Sequence, residues 1–329
     1  MEVKINVNED ISLEGHKDVI ELATLEKYLH DPAFINRFID AASNNESRIA
    51  RTGYYPKEKI IASEEFVAGG YAFFNGQQEE YAAEFEARLN DEVEPSRVKQ
   101  FLSAFGKLWI DGSATRHTSN EMMSIKASIR DHDRHYYPKK HVFMNRNNSV
   151  PNSVAPLFTP EEMHTVFDIT SRLADTCIED YLASRADSDA NSINRIYLHR
   201  GIFPAERIDD LVLVEEHYLS SYSMAVTVSE VFAQTFTPST KATGEPAMFA
   251  APYPLFSNRI VMFAPLIRGM PLGQLEVCVA PPLEVFLLEY FGHFPSGQPG
   301  LYFHEYGFSE LPTGKRWTGP LPERIIKAA

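Results

Sequence analysis

The stretch GQLEVCVAPPLEVFLLEY, residues 273–290, places two runs of valine, leucine and aromatic residues on either side of a proline pair. Runs of β-branched and aromatic residues bounded by glycine or proline are typical of β-strands. We therefore predict strands at 275–280 and 284–291 with a turn between them. The first of these strands carries Glu276 close to its start.

The rest of the second half extends the same pattern. Further strands are predicted for RIYLHR (195–200), RIVMFAPL (259–266) and LYFHEY (301–306). One long helix is predicted ahead of them at 159–184, where Thr159 can cap the first turn and Glu162 completes a capping box. The fold class expected for this half is therefore α+β, with a helix preceding a mainly antiparallel sheet.

The first half is predicted to be mostly helical. Helices are expected at 24–43, 77–91 and 94–109. The segment EEFVAGGYAFFNG (64–76) contains a Gly-Gly pair and predicts a turn. The polar stretch MNRNNSVPNSVAP (144–156) predicts a linker, so we expect a helical domain at 1–150 for substrate or partner recognition and a second domain at 151–329.

Composition excludes several classes of function. The chain has 329 residues, 44% of them hydrophobic, and a net charge of −14. This charge argues against nucleic acid and anionic membranes as partners, because phosphate surfaces attract Lys/Arg-rich proteins. The longest apolar run, at 260–267, is far shorter than the roughly 18–20 residues that span a bilayer.

The two cysteines and the N-terminal sequence indicate the cellular compartment in which the protein works. Cys177 and Cys278 both lie in apolar segments, which predicts buried thiols, no disulfide and a reducing environment. The first residues lack the basic and apolar regions of a signal peptide. We expect a cytoplasmic protein, or one exported by a route that reads no cleavable signal.

Three short motifs follow one another in the second half. They are YLHRG (197–201), SYS (221–223) and QLE (274–276). An arginine offers a planar fork of donors that suits a diphosphate. Serines two positions apart on a strand share one face, and a carboxylate can stabilise a developing positive charge.

In this order, the motifs resemble those of the mono-ADP-ribosyltransferases of the arginine–serine–glutamate class. The resemblance covers roughly 155–292 and includes the strand–turn–strand after Glu276. It implies an ADP-ribosyltransferase-like mixed β-sandwich, NAD as co-substrate and no metal. The chain would then be a glycosyltransferase that moves ADP-ribose onto a protein side chain.

The resemblance also implies roles for individual residues. Glu276 would hold the ribose 2′-hydroxyl and stabilise the ribosyl cation, while Ser221 would order the site beside it. Arg200 and Gly201 would bind the NAD diphosphate, the glycine by letting the backbone turn closely. Two further cofactor-binding positions are Ser223 and Phe232, the latter as a ring against nicotinamide.

Gln274 is where the chain departs from the arginine-modifying members, which usually carry glutamate at this position. We expect Gln274 on the same strand face as Glu276. Glutamine can orient a group through hydrogen bonds but cannot accept a proton as a general base. This predicts a hydroxyl or amide acceptor in place of arginine, and it leaves hydrolysis of NAD by water as an alternative.

The resemblance further implies a bacterial toxin or secreted effector, a virulence factor that modifies a host protein in the host cytosol, with a secretion chaperone as a possible partner. Two other classes remain open. One is a non-catalytic protein-binding effector. The other is a metal-dependent hydrolase built on His132, His135 and His141, although we expect solvated positions at a helix end for these.

Overall fold

A computed structural model gives the fold of the chain. It describes residues 57–109, 119–138, 150–185, 196–202, 214–215, 218–225, 228–229, 233, 246–281, 286–295, 302–310 and 326–327. The helix predicted at 24–43 lies outside these residues. The division into domains at 1–150 and 151–329 stays a prediction.

The first helix within the described residues is much longer than the helix predicted at 77–91. Helix α1 runs over Lys57–Glu92 and includes the Gly-Gly pair, so the turn predicted at 64–76 is wrong. A β-carbon built on Gly69 would lie 2.4 Å from the hydroxyl of Tyr181, and one built on Gly70 would lie 3.5 Å from the same ring. The glycines therefore allow close approach to a neighbouring helix, which a local turn signal does not reveal.

Three more helices follow. They are α2 at Pro95–Ser103, which continues as a π-helical segment at Ala104–Trp109, α3 at Asn120–Tyr136 and α4 at Pro160–Ser184. In α4 the hydroxyl of Thr159 accepts from Glu162 N at 3.2 Å, and the Glu162 carboxylate accepts from Thr159 N at 2.8 Å. The predicted capping box is confirmed.

Two tyrosine–aspartate hydrogen bonds tie α4 to its surroundings. Tyr81 of α1 donates to Asp180 at 3.0 Å, and Tyr253, which follows a strand of the sheet, donates to Asp175 at 2.7 Å. Burial raises the pKa of both tyrosine hydroxyls, and it also raises the pKa of the Asp175 carboxyl. Helix α4 is thus held between α1 and the sheet.

Nine strands lie within the described residues. They are β1 Tyr197–Ile202, β2 Val214–Glu215, β3 Ser220–Ser223, β4 Ala247–Pro252, β5 Ile260–Phe263, β6 Glu276–Val279, β7 Phe286–Pro295, β8 Tyr302–Glu310 and β9 Ile326–Lys327. Seven of them form one sheet in the order β5-β6-β3-β1-β4-β8-β7, while β2 pairs with β9. All neighbours in the large sheet are antiparallel except β4 and β8, which makes the sheet mixed.

The predicted fold class, α+β with a helical region ahead of a mainly antiparallel sheet, is confirmed. Strand β4 was not predicted, although it lies inside the sheet between β1 and β8. Its sequence, AMFAAP, is rich in alanine, which is depleted in strands, so no propensity signal marks it. None of the helices in the described residues is both long and apolar enough to cross a lipid bilayer.

A buried ion pair joins the helices to the sheet. Arg259, just before β5, donates to both carboxylate oxygens of Asp133 in α3, at 2.8 and 2.7 Å. Its Nε donates to Pro281 O at 2.9 Å, and its guanidinium lies 4.8 Å from the centre of the Phe167 ring. Helices α3 and α4 therefore meet the sheet where β6 ends.

Candidate active site

Glu276 begins β6, and its side chain is buried beside the neighbouring strand. Residue Ser223 of β3 pairs with Glu276, and Ser221 pairs with Cys278, so Ser221 lies diagonally across from the glutamate. Such diagonal neighbours are within reach of long side chains. The Ser221 hydroxyl donates a hydrogen bond to Glu276 Oε1.

A second donor lies on the same side of the carboxylate. The thiol of Cys278 is directed to Glu276 Oε1 at an S···O distance of 3.8 Å. A thiol is a weak donor, so the serine bond is the stronger of the two. Together the two groups fix one carboxylate oxygen of Glu276, a residue that is only 5% exposed.

Ser223 holds the backbone ahead of the glutamate. Its hydroxyl donates to the carbonyl oxygen of Gln274 at 2.5 Å and accepts from Ala225 N at 2.9 Å. Both serines of the SYS motif therefore contact the 274–276 segment, one through the carboxylate and the other through the main chain.

The expectation that Gln274 shares a strand face with Glu276 is wrong. Gln274 ends a 3₁₀ turn at Leu272–Gln274, in which Leu275 N bonds to Leu272 O at 2.9 Å, and β6 starts only at Glu276. Leu275 between them has φ of 40°, in the left-handed region that residues with a β-carbon rarely adopt. The alternation of strand side chains therefore does not apply to Gln274, whose side chain is half-buried.

Arg200 lies on β1, next to β3 in the sheet. Its guanidinium carbon is 5.8 Å from the centre of the Tyr222 ring. Because side chains alternate along a strand, Tyr222 projects to the face opposite Ser221 and Ser223. The structure thus brings Ser221, Ser223 and the 274–276 segment together, and it places Arg200 beside Tyr222.

Gly201, which follows Arg200, lies very close to the backbone of another chain segment. A β-carbon there would lie 1.7 Å from Ser229 O and 2.5 Å from Ala233 N. Both of these are backbone atoms, which cannot rotate away as a side chain can. Glycine is therefore required at this position by close packing of two chain segments.

Replacement of this glycine, Gly201→Ala, is expected to lower the free energy of unfolding by about 1–3 kcal/mol, the usual cost of overpacking. The matched control is Gly76→Ala in α1, where a β-carbon would meet nothing within 4 Å. That change is expected to stabilise by about 0.5–1 kcal/mol, since alanine favours helix. Urea unfolding measures the stability of both variants. A free energy of unfolding for Gly201→Ala equal to that of wild type would contradict the close packing at this position.

Other predicted residues fall away from this site or outside the described residues. Phe232 and His141 are not among the described residues. Cys177 is buried in α4, in agreement with the predicted buried thiol, and burial raises the pKa of that thiol.

His132 is not solvated, contrary to our expectation. It is 1% exposed, with Nδ1 2.9 Å from Asp133 Oδ1 and Nε2 3.3 Å from His164 Nδ1. His135 lies at the exposed side of the same helix, 3.6 Å from Glu161. Among the residues that the structure describes, no three His, Cys, Asp or Glu side chains form a cluster suited to a metal ion.

Two residues on the same face of the sheet as Glu276 were not predicted as site residues. His199 of β1 pairs with Ser223 across the strands, and Cys278 pairs with Ser221. Both are buried. The period of two along β1 and β6 could have placed them on the same face as the two serines, once the strands had been aligned.

Comparison with known proteins gives only distant likeness. No protein-family model matches the chain, and no curated protein is similar to it in sequence. Among solved structures, the Vis toxin, an ADP-ribosyltransferase from Vibrio splendidus, is similar at a TM-score of 0.31 and 10% identity, over 72% of this chain and 85% of that chain. The structure of the ADP-ribosyltransferase Vis in complex with agmatine is similar at a TM-score of 0.23 and 11% identity, over 58% and 87%. At these scores the likeness assigns no role to any residue.

Proposed function

We propose that the chain is a mono-ADP-ribosyltransferase that cleaves NAD and transfers ADP-ribose to a protein side chain. The observation that carries the proposal is the hydrogen bond from the Ser221 hydroxyl to the Glu276 carboxylate. It supports an oriented carboxylate at the start of β6, and the order of the three motifs along the chain supports NAD as the substrate.

Glu276 acts on the ribose in this proposal. The bond between ribose C1′ and the nicotinamide nitrogen breaks, its electron pair leaves with nicotinamide, and positive charge develops on the ribose. The acceptor oxygen or nitrogen then bonds to C1′, and the proton that it loses passes to water. A carboxylate that is already oriented stabilises this charge without having to reorganise. Ser221 and Cys278 provide that orientation by holding Oε1.

Arg200 is assigned to the NAD diphosphate. An arginine fork can meet two phosphate oxygens at once. The structure places the Arg200 guanidinium beside Tyr222, on the face of the sheet opposite Ser221 and Ser223, so this assignment rests on the order of the motifs and not on a contact with the Glu276 site.

Gln274 is assigned to the acceptor. Its main chain is held by Ser223, and its half-buried side chain can orient an incoming group but cannot remove a proton from it. We therefore infer a hydroxyl or amide acceptor on a host protein, with the chain acting as a secreted effector in the host cytosol. The acidic net charge of −14 supports a protein acceptor over a nucleic acid.

The test compares acceptors for the purified chain, and the rate at which nicotinamide is released from NAD measures the reaction with each acceptor. A eukaryotic cytosolic lysate is expected to accelerate release and to yield a protein that carries ADP-ribose on a hydroxyl or amide side chain, identified by mass spectrometry. Agmatine, a guanidinium compound, is expected not to accelerate it. Free ADP-ribose with no modified protein would favour an NAD glycohydrolase, and no release at all would favour a non-catalytic binding protein.

A further inference from the structure

The segment that leads into Glu276 has little regular structure of its own. Between β5 and β6 it runs through two 3₁₀ turns and passes Gly269 at φ 70° and Leu275 at φ 40°. Left-handed backbone at a residue such as Leu275 persists only where neighbouring groups hold it. From the sheet side, Ser223 holds Gln274 O, and Met224 N donates to Leu275 O at 3.2 Å.

Helix α1 holds the other end of this segment through one side chain. The amide nitrogen of Gln78 donates to Ile267 O at 2.9 Å and to Met270 O at 2.8 Å. A single primary amide has two N–H groups, and here each meets a main-chain carbonyl. These bonds span 189 and 192 residues of sequence.

More of α1 packs along the same segment. Gly70 is close enough that a β-carbon on it would lie 3.7 Å from Leu275 Cδ1. Arg268 pairs with Glu79 at 2.8 Å on the exposed side. One helix therefore contacts the segment at 267–270 and again at Leu275, immediately before the carboxylate.

We propose that Gln78 is a positioning residue for the reaction, acting through the 267–275 segment on the direction in which Glu276 meets Ser221. This rests on the proposed function. Gln78 does not touch the carboxylate; its two hydrogen bonds fix the start of a segment whose end is Leu275. Without these two bonds the start of the segment can move, and Glu276 can shift with it. A displacement of about 1 Å can lower a rate about a hundredfold.

The test variant is Gln78→Glu, which keeps the shape of the side chain but replaces two donors with an acceptor that faces two carbonyl oxygens. We expect kcat for nicotinamide release to fall at least about tenfold, while KM for NAD changes less than about twofold, because the change affects geometry and not binding. Gln78→Lys, which restores N–H donors, is expected to recover part of kcat.

The matched control is Gln77→Glu, the same change one residue earlier on the same helix. In the described part of the chain Gln77 makes no bond to the 267–270 carbonyls, so kcat is expected to stay within about twofold of wild type. An equal loss in both variants would overturn the proposal, since it would reflect the added charge alone.

Hydrogen exchange provides a readout that does not depend on activity. The amides of Met270 and Leu275, which bond to Ile267 O and Leu272 O, are expected to exchange faster in Gln78→Glu than in Gln77→Glu. Amides of the β3–β6 pair are expected to remain as in wild type. Unchanged exchange at Met270 and Leu275 would overturn the proposal even for a variant with altered kinetics.

The two ideas fail in different ways. If wild-type protein releases no nicotinamide, the proposed function is wrong, and the positioning role falls with it. If wild type is active and Gln78→Glu matches it in kcat, the positioning role alone is wrong.

Discussion

Replacement of the central carboxylate, Glu276→Gln, is expected to lower kcat for nicotinamide release by roughly 10²- to 10³-fold, the effect of removing one preorganised electrostatic group from a reaction centre. The amide has almost the same shape and can still accept the hydrogen bond from Ser221. What it lacks is the negative charge that, under the proposed function, would face the developing ribosyl cation. KM for NAD is expected to change far less, since the charge matters most in the transition state.

The control for this variant is Glu80→Gln, which removes the same charge from an exposed position on α1. Steady-state release of nicotinamide from NAD measures both variants, and Glu80→Gln is expected to match wild type. If Glu276→Gln retained a kcat within about threefold of wild type, the carboxylate would have no part in the chemistry, because a change that small lies far below any electrostatic contribution.

The second large effect is on stability, and it concerns the buried ion pair. Arg259→Met is expected to lower the free energy of unfolding by about 3–5 kcal/mol, because it leaves the Asp133 carboxylate buried without its charged partner. The two side chains are 3% and 5% exposed, so water cannot replace the lost bonds. Arg259 also bonds to Pro281 O, so the segment that follows β6 loses a contact as well.

Two further variants make this prediction specific. Arg268→Met removes an exposed arginine, 55% accessible and paired with Glu79, and is expected to cost only about 0–1 kcal/mol. The double variant Asp133→Leu/Arg259→Met removes both charges and is expected to be more stable than Arg259→Met alone. Urea unfolding of the three proteins gives the comparison, and equal losses for Arg259→Met and Arg268→Met would contradict it.

Features that depend on neighbours in the sequence were predictable. The capping box of α4 involves residues three positions apart, and its start at Pro160 follows from Thr159 and Glu162. Strand β6 follows from a run of apolar residues bounded by a glycine turn and a proline pair. The SYS and QLE motifs were selected differently, from their order along the chain and the family resemblance, and the roles of their residues stay predictions.

Features that depend on distant residues were not predictable. The Gly69-Gly70 pair locally predicts a turn, yet it lies within α1, where the absence of β-carbons leaves room for Tyr181. The left-handed backbone at Leu275 depends on contacts from β3 and α1, which no spacing within QLE reveals. Likewise, the face to which Arg200 projects follows from the register of β1 against β3.

The central claim is that the Ser221–Glu276 pair belongs to a site that cleaves NAD and transfers ADP-ribose. The most direct measurement incubates the purified chain with NAD labelled in its adenylate part and a eukaryotic cytosolic lysate, beside Glu276→Gln. We expect a labelled protein band with wild type and none with the variant. Absence of both the band and released nicotinamide with wild type, or a band of equal strength with the variant, would contradict the claim.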